Sequence, residues 1–208
     1  MHSTLALEVK PRGAALVSAL LIMLVLLIVA VSAARAALHA EKTARGEREH
    51  AIAFQAAEAA LADAERDIEG GIDPASARAL LFARDSVQGF DPGCGAAPHA
   101  NVGLCMRIDS PGTPAWQSAA LAGSGEGRLR SVELGRFTGT AMPAGAGTPA
   151  RRLPRYIIEL MPLALAGTDA ASRGGNFYRI TAIGFGAGET SHVVLQTYYL
   201  KPAGEDGP

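Results

Sequence analysis

The chain has 208 residues, a length that suits a membrane segment followed by one folded domain. Its 19 Lys and Arg residues nearly balance 20 Asp and Glu residues. A net charge of −1 gives no basic excess of the kind that neutralises phosphates, so we expect no nucleic-acid partner.

An uncharged segment of 22 residues, 13–34, follows a short polar leader. Ser18 and Ser32 are its only polar side chains. About 20 such residues cross the hydrocarbon core of a bilayer as a helix, which satisfies every backbone polar group internally. A secretory signal peptide, with Ala34-Arg35-Ala36 as a weak cleavage site, and a plain single-pass anchor are two interpretations of this segment.

The leader itself favours a third interpretation. It ends in Lys10, Arg12 and Gly13, and the apolar run starts directly after the glycine. This order resembles a prepilin leader, which a membrane peptidase cuts after the glycine. The resemblance implies cleavage between Gly13 and Ala14, methylation of Ala14, and Lys10 and Arg12 on the cytoplasmic side. Charge counting alone leaves the orientation open, because four basic residues follow the apolar run at positions 35, 42, 45 and 48.

The helical pattern continues beyond the apolar run to about residue 69. One face carries apolar residues at steps of three and four, and we expect this face to pack against a folded domain. Its members are Phe54, Ala57, Leu61, Ala64 and Ile68. The opposite face is expected to carry Glu58, Asp63, Glu65, Arg66 and Asp67. The pair Gly70-Gly71 supplies the left-handed backbone that ends helices, so one helix is predicted from about 14 to 69.

The two cysteines, Cys94 and Cys105, lie in a stretch rich in Gly and Pro. The sequence contains no CxxC or HxxxH spacing of the kind that binds zinc. A disulfide between them is the favoured interpretation, and two unrelated buried thiols are the alternative. A disulfide indicates an oxidising compartment and so favours a C-terminus outside the cytoplasm.

The residues after 70 predict a small α+β domain. Asp73 and Pro74 indicate the N-cap and first residue of a short helix that reaches about Arg84. Four β-like runs follow at 129–138, 155–161, 177–185 and 192–200, and the Gly-rich GAGETS between the last two has hairpin length. We expect a small antiparallel sheet packed on the amphipathic half of the long helix, with an exposed loop at 142–154.

Three stretches carry a specific resemblance. They are the leader with GAALVSALLIMLVLL, AFQAAEAALADAE at 53–65, and YRITAIGFGAGETSHVVLQTYYL at 178–200. They resemble the PilX-type minor pilins of type IV pilus assembly. The resemblance implies a leader at 1–13, a membrane and pilus-core half-helix at 14–34, an amphipathic half at 35–69 and a head at 70–208. It also implies a type IV pilin-like fold.

The same resemblance implies a structural subunit, not an enzyme, that helps to prime pilus assembly at or near the tip. Prepilin peptidase, other minor pilins and a tip-associated adhesin-like protein are the implied partners. The implied location is the inner membrane, with a periplasmic head, and later the pilus (fimbrium) at the cell surface. A K-type pseudopilin of type II secretion and a membrane-tethered periplasmic binding or enzymatic domain are the alternatives.

Ser18 occupies the fifth position of the chain that cleavage after Gly13 would leave. Pilins usually carry a glutamate there, which is thought to neutralise the N-terminal amine of a neighbouring subunit in the apolar core of the pilus. Tip-proximal members of the family also tend to lack this glutamate. The resemblance therefore implies a subunit with no predecessor above it, whereas a plain anchor helix would make Ser18 a neutral substitution.

We expect no catalytic residue, no metal site and no cofactor. The five histidines stand in separate contexts. The segment GFGAGE at 184–189 imitates the nucleotide-binding fingerprint GxGxxG poorly, because it lies in the expected hairpin. Asp169 with Ser172, and Glu205 with Asp206, lack the alternating acidic pattern of a calcium loop.

Overall fold

The computed structural model describes residues 14–83, 86–107, 113–118, 121–123, 129–146, 149–161, 175–188 and 190–202. The chain divides into two compact units, Met1–Glu47 and Arg48–Pro208, which are described separately. The expected α+β class is confirmed. The elements in chain order are α1 Ala14–Ile68, α2 Ala77–Leu81, β1 Leu104–Met106, α3 Ala115–Ser118, β2 Val132–Glu133, β3 Arg155–Met161, β4 Gly175–Phe185 and β5 His192–Pro202.

Helix α1 is continuous from Ala14 to Ile68. Its end is fixed by two backbone hydrogen bonds, in which Gly71 N–H donates to the Arg66 carbonyl at 2.9 Å and Gly70 N–H donates to the Asp67 carbonyl at 3.2 Å. This pair of bonds is a Schellman motif, and both glycines have positive φ, +119° and +61°. The predicted helix end at the glycine pair is thereby confirmed.

The short helix α2 begins later than the sequence pattern indicates. Its N-cap is Ser76, whose hydroxyl accepts a hydrogen bond from Ala79 N–H at 3.1 Å. The prediction of Asp73 as the cap was wrong because the Asp73 carboxylate instead accepts from Ala75 N–H at 2.9 Å, which closes a turn before the helix. The helix ends at Leu81, and the predicted end at Arg84 lies outside the described residues.

The sheet has five strands and is mixed. Its order is β1-β3-β4-β5, and β2 also pairs with β3. Strands β3, β4 and β5 form the antiparallel centre, with Ile158 opposite Ile180 and Ile180 opposite Thr197. Strand β1 pairs with β3 in parallel, which the antiparallel expectation did not include. The predicted runs at 155–161, 177–185 and 192–200 correspond to β3, β4 and β5.

The run at 129–138 was predicted as a strand and is mostly a turn. Only Val132 and Glu133 pair with β3. The chain then turns at Gly135, where φ is +82° and a Cβ would lie 2.0 Å from the carbonyl oxygen of Thr140. The strand pairing therefore ends at Gly135, a position that only a residue without a Cβ can occupy.

The core of the second unit lies between the sheet and the C-terminal half of α1. The helix contributes small side chains, among them Ala53, Ala57 and Ala60, all fully buried. Strand β4 approaches the helix so closely at Gly184 that a Cβ there would lie 2.1 Å from the carbonyl oxygen of Ala53. The alanines of α1 and the glycine of β4 thus permit backbone contact between helix and sheet. Beside them, Phe82, Phe90 and Tyr178 pack with ring centroids 5.8 to 6.2 Å apart.

Candidate functional site

The apolar segment of α1 exposes its side chains along its whole length. Ser18 and Ser32 turn inward to their own helix, since the Ser18 hydroxyl donates to the carbonyls of Ala14 and Ala15 at 3.0 Å each, and Ser32 donates to Ile28 at 2.8 Å. Such bonds lower the cost of placing a hydroxyl in an apolar medium. Among the described residues, α1 is the one helix long and apolar enough to cross a membrane. It fits single-pass anchoring.

The residues of the predicted packing face of α1 differ in how deeply they are buried. Ala57, Ala64 and Ile68 are buried, Leu61 is half-buried, and Phe54 is 38% exposed. Small residues occupy most of the buried stripe because β4 passes too close to admit larger side chains. Its members are Ala53, Ala56, Ala57, Ala60, Asp63, Ala64, Asp67 and Ile68.

Two carboxylates assigned to the exposed face are buried, and the assignment was wrong. Asp63 is 0% and Asp67 is 1% exposed. Burial of a carboxylate is expensive unless charge and hydrogen bonds compensate it. Both residues have such partners on the head, so they act as anchor points between the helix and the loops around it.

Asp67 is held by Arg78, the buried arginine of α2. The guanidinium donates from Nε at 3.1 Å and from Nη2 at 2.6 Å to the carboxylate, a two-pronged geometry that makes charge-assisted bonds strong. The Tyr156 hydroxyl donates to the same carboxylate at 3.0 Å. Burial, and then the negative charge of Asp67, raise the pKa of Tyr156 well above its ordinary value.

Arg78 also bridges to the cysteine loop. Its Nη1 donates to the carbonyls of Ala100 at 2.8 Å and Val102 at 2.9 Å, and its guanidinium carbon lies 4.4 Å from the ring centroid of Phe137. One side chain therefore connects α1, α2 and the loop that precedes β1. Sequence reasoning did not single out Arg78, because an arginine in a short helix is ordinarily a solvated residue.

Asp63 fixes the turn after β2. Its carboxylate accepts from Gly135 N–H at 2.8 Å and from the Thr138 hydroxyl. The Thr138 hydroxyl also lies 3.0 Å from that of Thr140. The helix thereby holds the turn that replaces the predicted strand.

Side chains at the end of β5 form hydrogen bonds with the end of α1. Lys201 Nζ donates to the carbonyls of Ile68 at 2.7 Å and Phe82 at 3.2 Å, and burial lowers the pKa of Lys201. A cation at the C-terminus of a helix is favoured because the last carbonyls lack partners and carry partial negative charge. The Tyr199 hydroxyl donates to Glu69, and burial together with this bond raises the pKa of Tyr199 to about 12.

Cys94 and Cys105 form a disulfide, and it ties the loop to β1. Cys105 lies in β1, and both cysteines are buried against the face of the sheet that points away from α1. Ile157, Ile183 and Phe185 of the sheet pack in the same cluster. The disulfide therefore joins the start of the loop to β1 on the second face of the sheet.

That second face is only partly covered. Phe177 and Tyr198 stack with ring centroids 5.5 Å apart, and Tyr198 is 58% exposed. Between them and the disulfide cluster, Arg179 donates two bonds of 2.7 and 2.8 Å to the buried carboxylate of Glu159. These bonds raise the pKa of Arg179. Among the described residues, β5 is an outer strand of the sheet, and it exposes the ring of Tyr198.

The predicted processing site lies partly outside the described residues. Gly13 is among the residues not described, and Ala14 is the first residue of α1. Asp169, Ser172, Glu205 and Asp206 also lie outside the described part of the chain.

Two family models match the chain. The model of the PilX N-terminal region matches residues 12–62, and that of the C-terminal region of the type IV pilus assembly protein PilX matches residues 97–201. The chain belongs to the PilX family. Together the matches cover most of α1 and all the strands of the head. No curated protein and no solved structure matches the chain significantly.

Membership places the chain among the structural components of type IV pilus assembly. The N-terminal match contains Gly13 and Ser18, and it ends one residue before Asp63. The C-terminal match contains Cys105 and Lys201, whereas Cys94 and Arg78 lie between the two matches. The family relation therefore accounts for the helix and the sheet, and the contacts of Arg78 rest on the structure alone.

Proposed function

We propose that the chain is a minor pilin that primes type IV pilus assembly at or near the tip of the fibre. The observation that carries the proposal is Ser18. Its hydroxyl is bonded to carbonyls of its own helix, in a segment whose side chains are apolar apart from Ser18 and Ser32. A subunit that presents no carboxylate at this position has nothing to offer the amine of a subunit above it.

Processing supplies the position of Ser18 in the mature chain. The basic leader, with Lys10 and Arg12, ends at Gly13, and the helix begins at Ala14. Prepilin peptidase is proposed to cut between Gly13 and Ala14, and methylation of Ala14 is proposed to follow. A glycine suits a scissile bond because no Cβ obstructs the extended backbone.

The proposed location follows from the apolar half of α1 and from the disulfide of the head. The apolar half of α1 is anchored in the inner membrane before assembly, and the leader faces the cytoplasm. The disulfide of the head is stable in an oxidising compartment, which supports a periplasmic head. The proposed partners are other minor pilins and a tip-associated adhesin-like protein.

The mass of the mature N-terminus tests processing. In cells with active prepilin peptidase, we expect a chain that starts at methylated Ala14, and Gly13→Val should leave the leader attached because a branched side chain enters the scissile site. Gly46→Ala is a matched control at a glycine outside the leader. An intact Met1, or a cut after Ala36, would contradict the proposal.

Pilus counting tests the priming role. Deletion of the gene should reduce the number of pili far more than their length, because a priming subunit acts once per fibre. Ser18→Ala should leave piliation nearly intact, since the hydroxyl serves its own helix. Immunogold label spread evenly along the shaft would contradict the tip position.

A further inference from the structure

The head contains a pocket of about 300 Å³ with a marked excess of positive side chains. It lies where β3 begins, and its described lining includes Arg151, Arg152 and Arg155 but only one acid, Glu133. The whole chain has a net charge of −1, so this excess is local. We call this site the arginine pocket.

Two guanidinium groups of the pocket, those of Arg152 and Arg155, are held in place before any ligand arrives. The guanidinium carbon of Arg152 lies 3.9 Å from the ring centroid of Phe185, and its Nη1 donates to the Ala122 carbonyl at 3.2 Å. Arg155 donates to Glu133 at 3.3 Å and reaches the Gly123 carbonyl at 3.5 Å. A preorganised group loses little conformational entropy on binding, so such a pocket favours a ligand that matches its charge.

The positive charges also oppose one another. Burial, and then the charges of Arg155 and Arg151, lower the pKa of Arg152. Like charges in close proximity destabilise their charged forms, and a bound anion would offset that cost. Glu133 compensates part of the charge of Arg155, and its side chain is 45% exposed.

We propose that the arginine pocket binds an oxyanion, either a carboxylate or a phosphate group, which inserts between the guanidinium groups of Arg151, Arg152 and Arg155. Arginine presents a planar set of donors that matches both groups, and bonds between two charged groups are stronger than neutral ones. The two sources of such a group are an acidic side chain of a protein and a free inorganic anion. The proposal does not depend on the priming role or on leader cleavage.

Thermal unfolding of the full chain in neutral detergent tests the pocket. Inorganic phosphate is titrated against sodium chloride at constant ionic strength, so that general screening is the same in every sample. A ligand that binds the folded state alone raises Tm with the logarithm of its concentration, by about 3 to 6 °C at tenfold excess over Kd. A Tm that rises neither with phosphate nor with an acidic peptide would overturn the proposal.

Variants that remove a positive or a negative side chain distinguish binding in the arginine pocket from general charge attraction. Arg151→Gln removes one guanidinium and its charge from an exposed side chain and should weaken phosphate binding by roughly ten- to a hundredfold. Glu133→Gln removes the one acid of the described lining and should tighten binding by up to about fivefold. Arg48→Gln, at an exposed arginine of α1 outside the lining, is the matched control and should leave Kd unchanged. Equal weakening by Arg48→Gln and Arg151→Gln would overturn the proposal.

A second ligand distinguishes the two sources. An acetylated tetraglutamate peptide is titrated under the same conditions, and its Kd is compared with that of phosphate. Tighter binding of the peptide identifies an acidic protein segment as the ligand class, and tighter binding of phosphate identifies a free anion. Either result supports the pocket if Arg151→Gln weakens it and Arg48→Gln does not.

Discussion

Removal of the Arg78 side chain should destabilise the head far more than removal of an exposed charge. Its guanidinium bonds Asp67 from two nitrogens and also supplies the carbonyls of Ala100 and Val102. The side chains of the pair are 4% and 0% exposed. In Arg78→Met, the carboxylate of Asp67 stays buried and keeps only the Tyr156 hydroxyl among these partners.

The expected magnitude follows from that burial. Removal of one member of a buried ion pair costs about 3–5 kcal/mol, chiefly because an uncompensated charge remains. Domains of this size are stable by about 5–15 kcal/mol in total, so the loss is a large fraction. The double variant Arg78→Met with Asp67→Asn removes both charges and retains an acceptor for Tyr156. It should therefore be more stable than Arg78→Met alone.

Urea unfolding of the full chain in detergent measures these differences. The single tryptophan, Trp116, packs against the buried disulfide cluster and reports the head by fluorescence. Arg45→Met is the matched control, since its pair with Glu41 is 76% and 58% exposed and should contribute less than about 1 kcal/mol. An unfolding free energy of Arg78→Met within about 1 kcal/mol of the wild type would contradict this role of Arg78, as would a double variant no more stable than the single one.

Three further predictions concern the glycines, the disulfide and pH. Gly184→Ala should lower the free energy of unfolding by about 1–3 kcal/mol, since its Cβ would meet the α1 backbone. Gly46→Ala is the control and should not lower it, since a Cβ there has nothing within 4 Å. Equal urea midpoints of the two variants would contradict this prediction. Thiol labelling of denatured, unreduced protein from the periplasm should be negative, and reduction of Cys94–Cys105 should cost on the order of 3 kcal/mol; stoichiometric labelling of both thiols would contradict it. Above about pH 10 the unfolded chain loses the Tyr156 proton while the folded chain keeps it, because the pKa of Tyr156 is raised in the fold. This group therefore predicts a stability that is constant up to about pH 10 and falls above it. Tyr156→Phe should flatten that fall in alkaline titrations, and an unchanged slope would contradict the assignment.

The regular elements with strong local patterns could be predicted from the sequence. The uncharged run and the continuing apolar steps predict α1, and Gly70-Gly71 predicts its end. The alternation in β4 and β5 around a Gly-rich connection predicts their hairpin. The periodic signals suffice because each is repeated over many residues, so that one exception does not change the period.

Elements that depend on one distant contact could not be predicted in this way. Strand β1 has three residues and gains its pairing from β3, more than fifty positions later in the chain. The N-cap of α2 depends on which of two neighbouring side chains, Asp73 or Ser76, reaches the free N–H groups. Both residues are good caps by propensity, so propensity alone does not decide between them.

Asp63 and Asp67 show most clearly where pattern reasoning stops. A helical wheel assigns a charged residue to the solvent because an unpaired carboxylate is costly to bury. Here the two residues are one helical turn apart on the buried side, and each receives donors from outside the helix, Gly135 for Asp63 and Arg78 for Asp67. The spacing of four between the two acids was the available signal, since like charges four residues apart destabilise an isolated helix unless partners compensate them. The helix therefore joins the head through alanines, which allow close approach, and through two carboxylates, which fix which loops it holds.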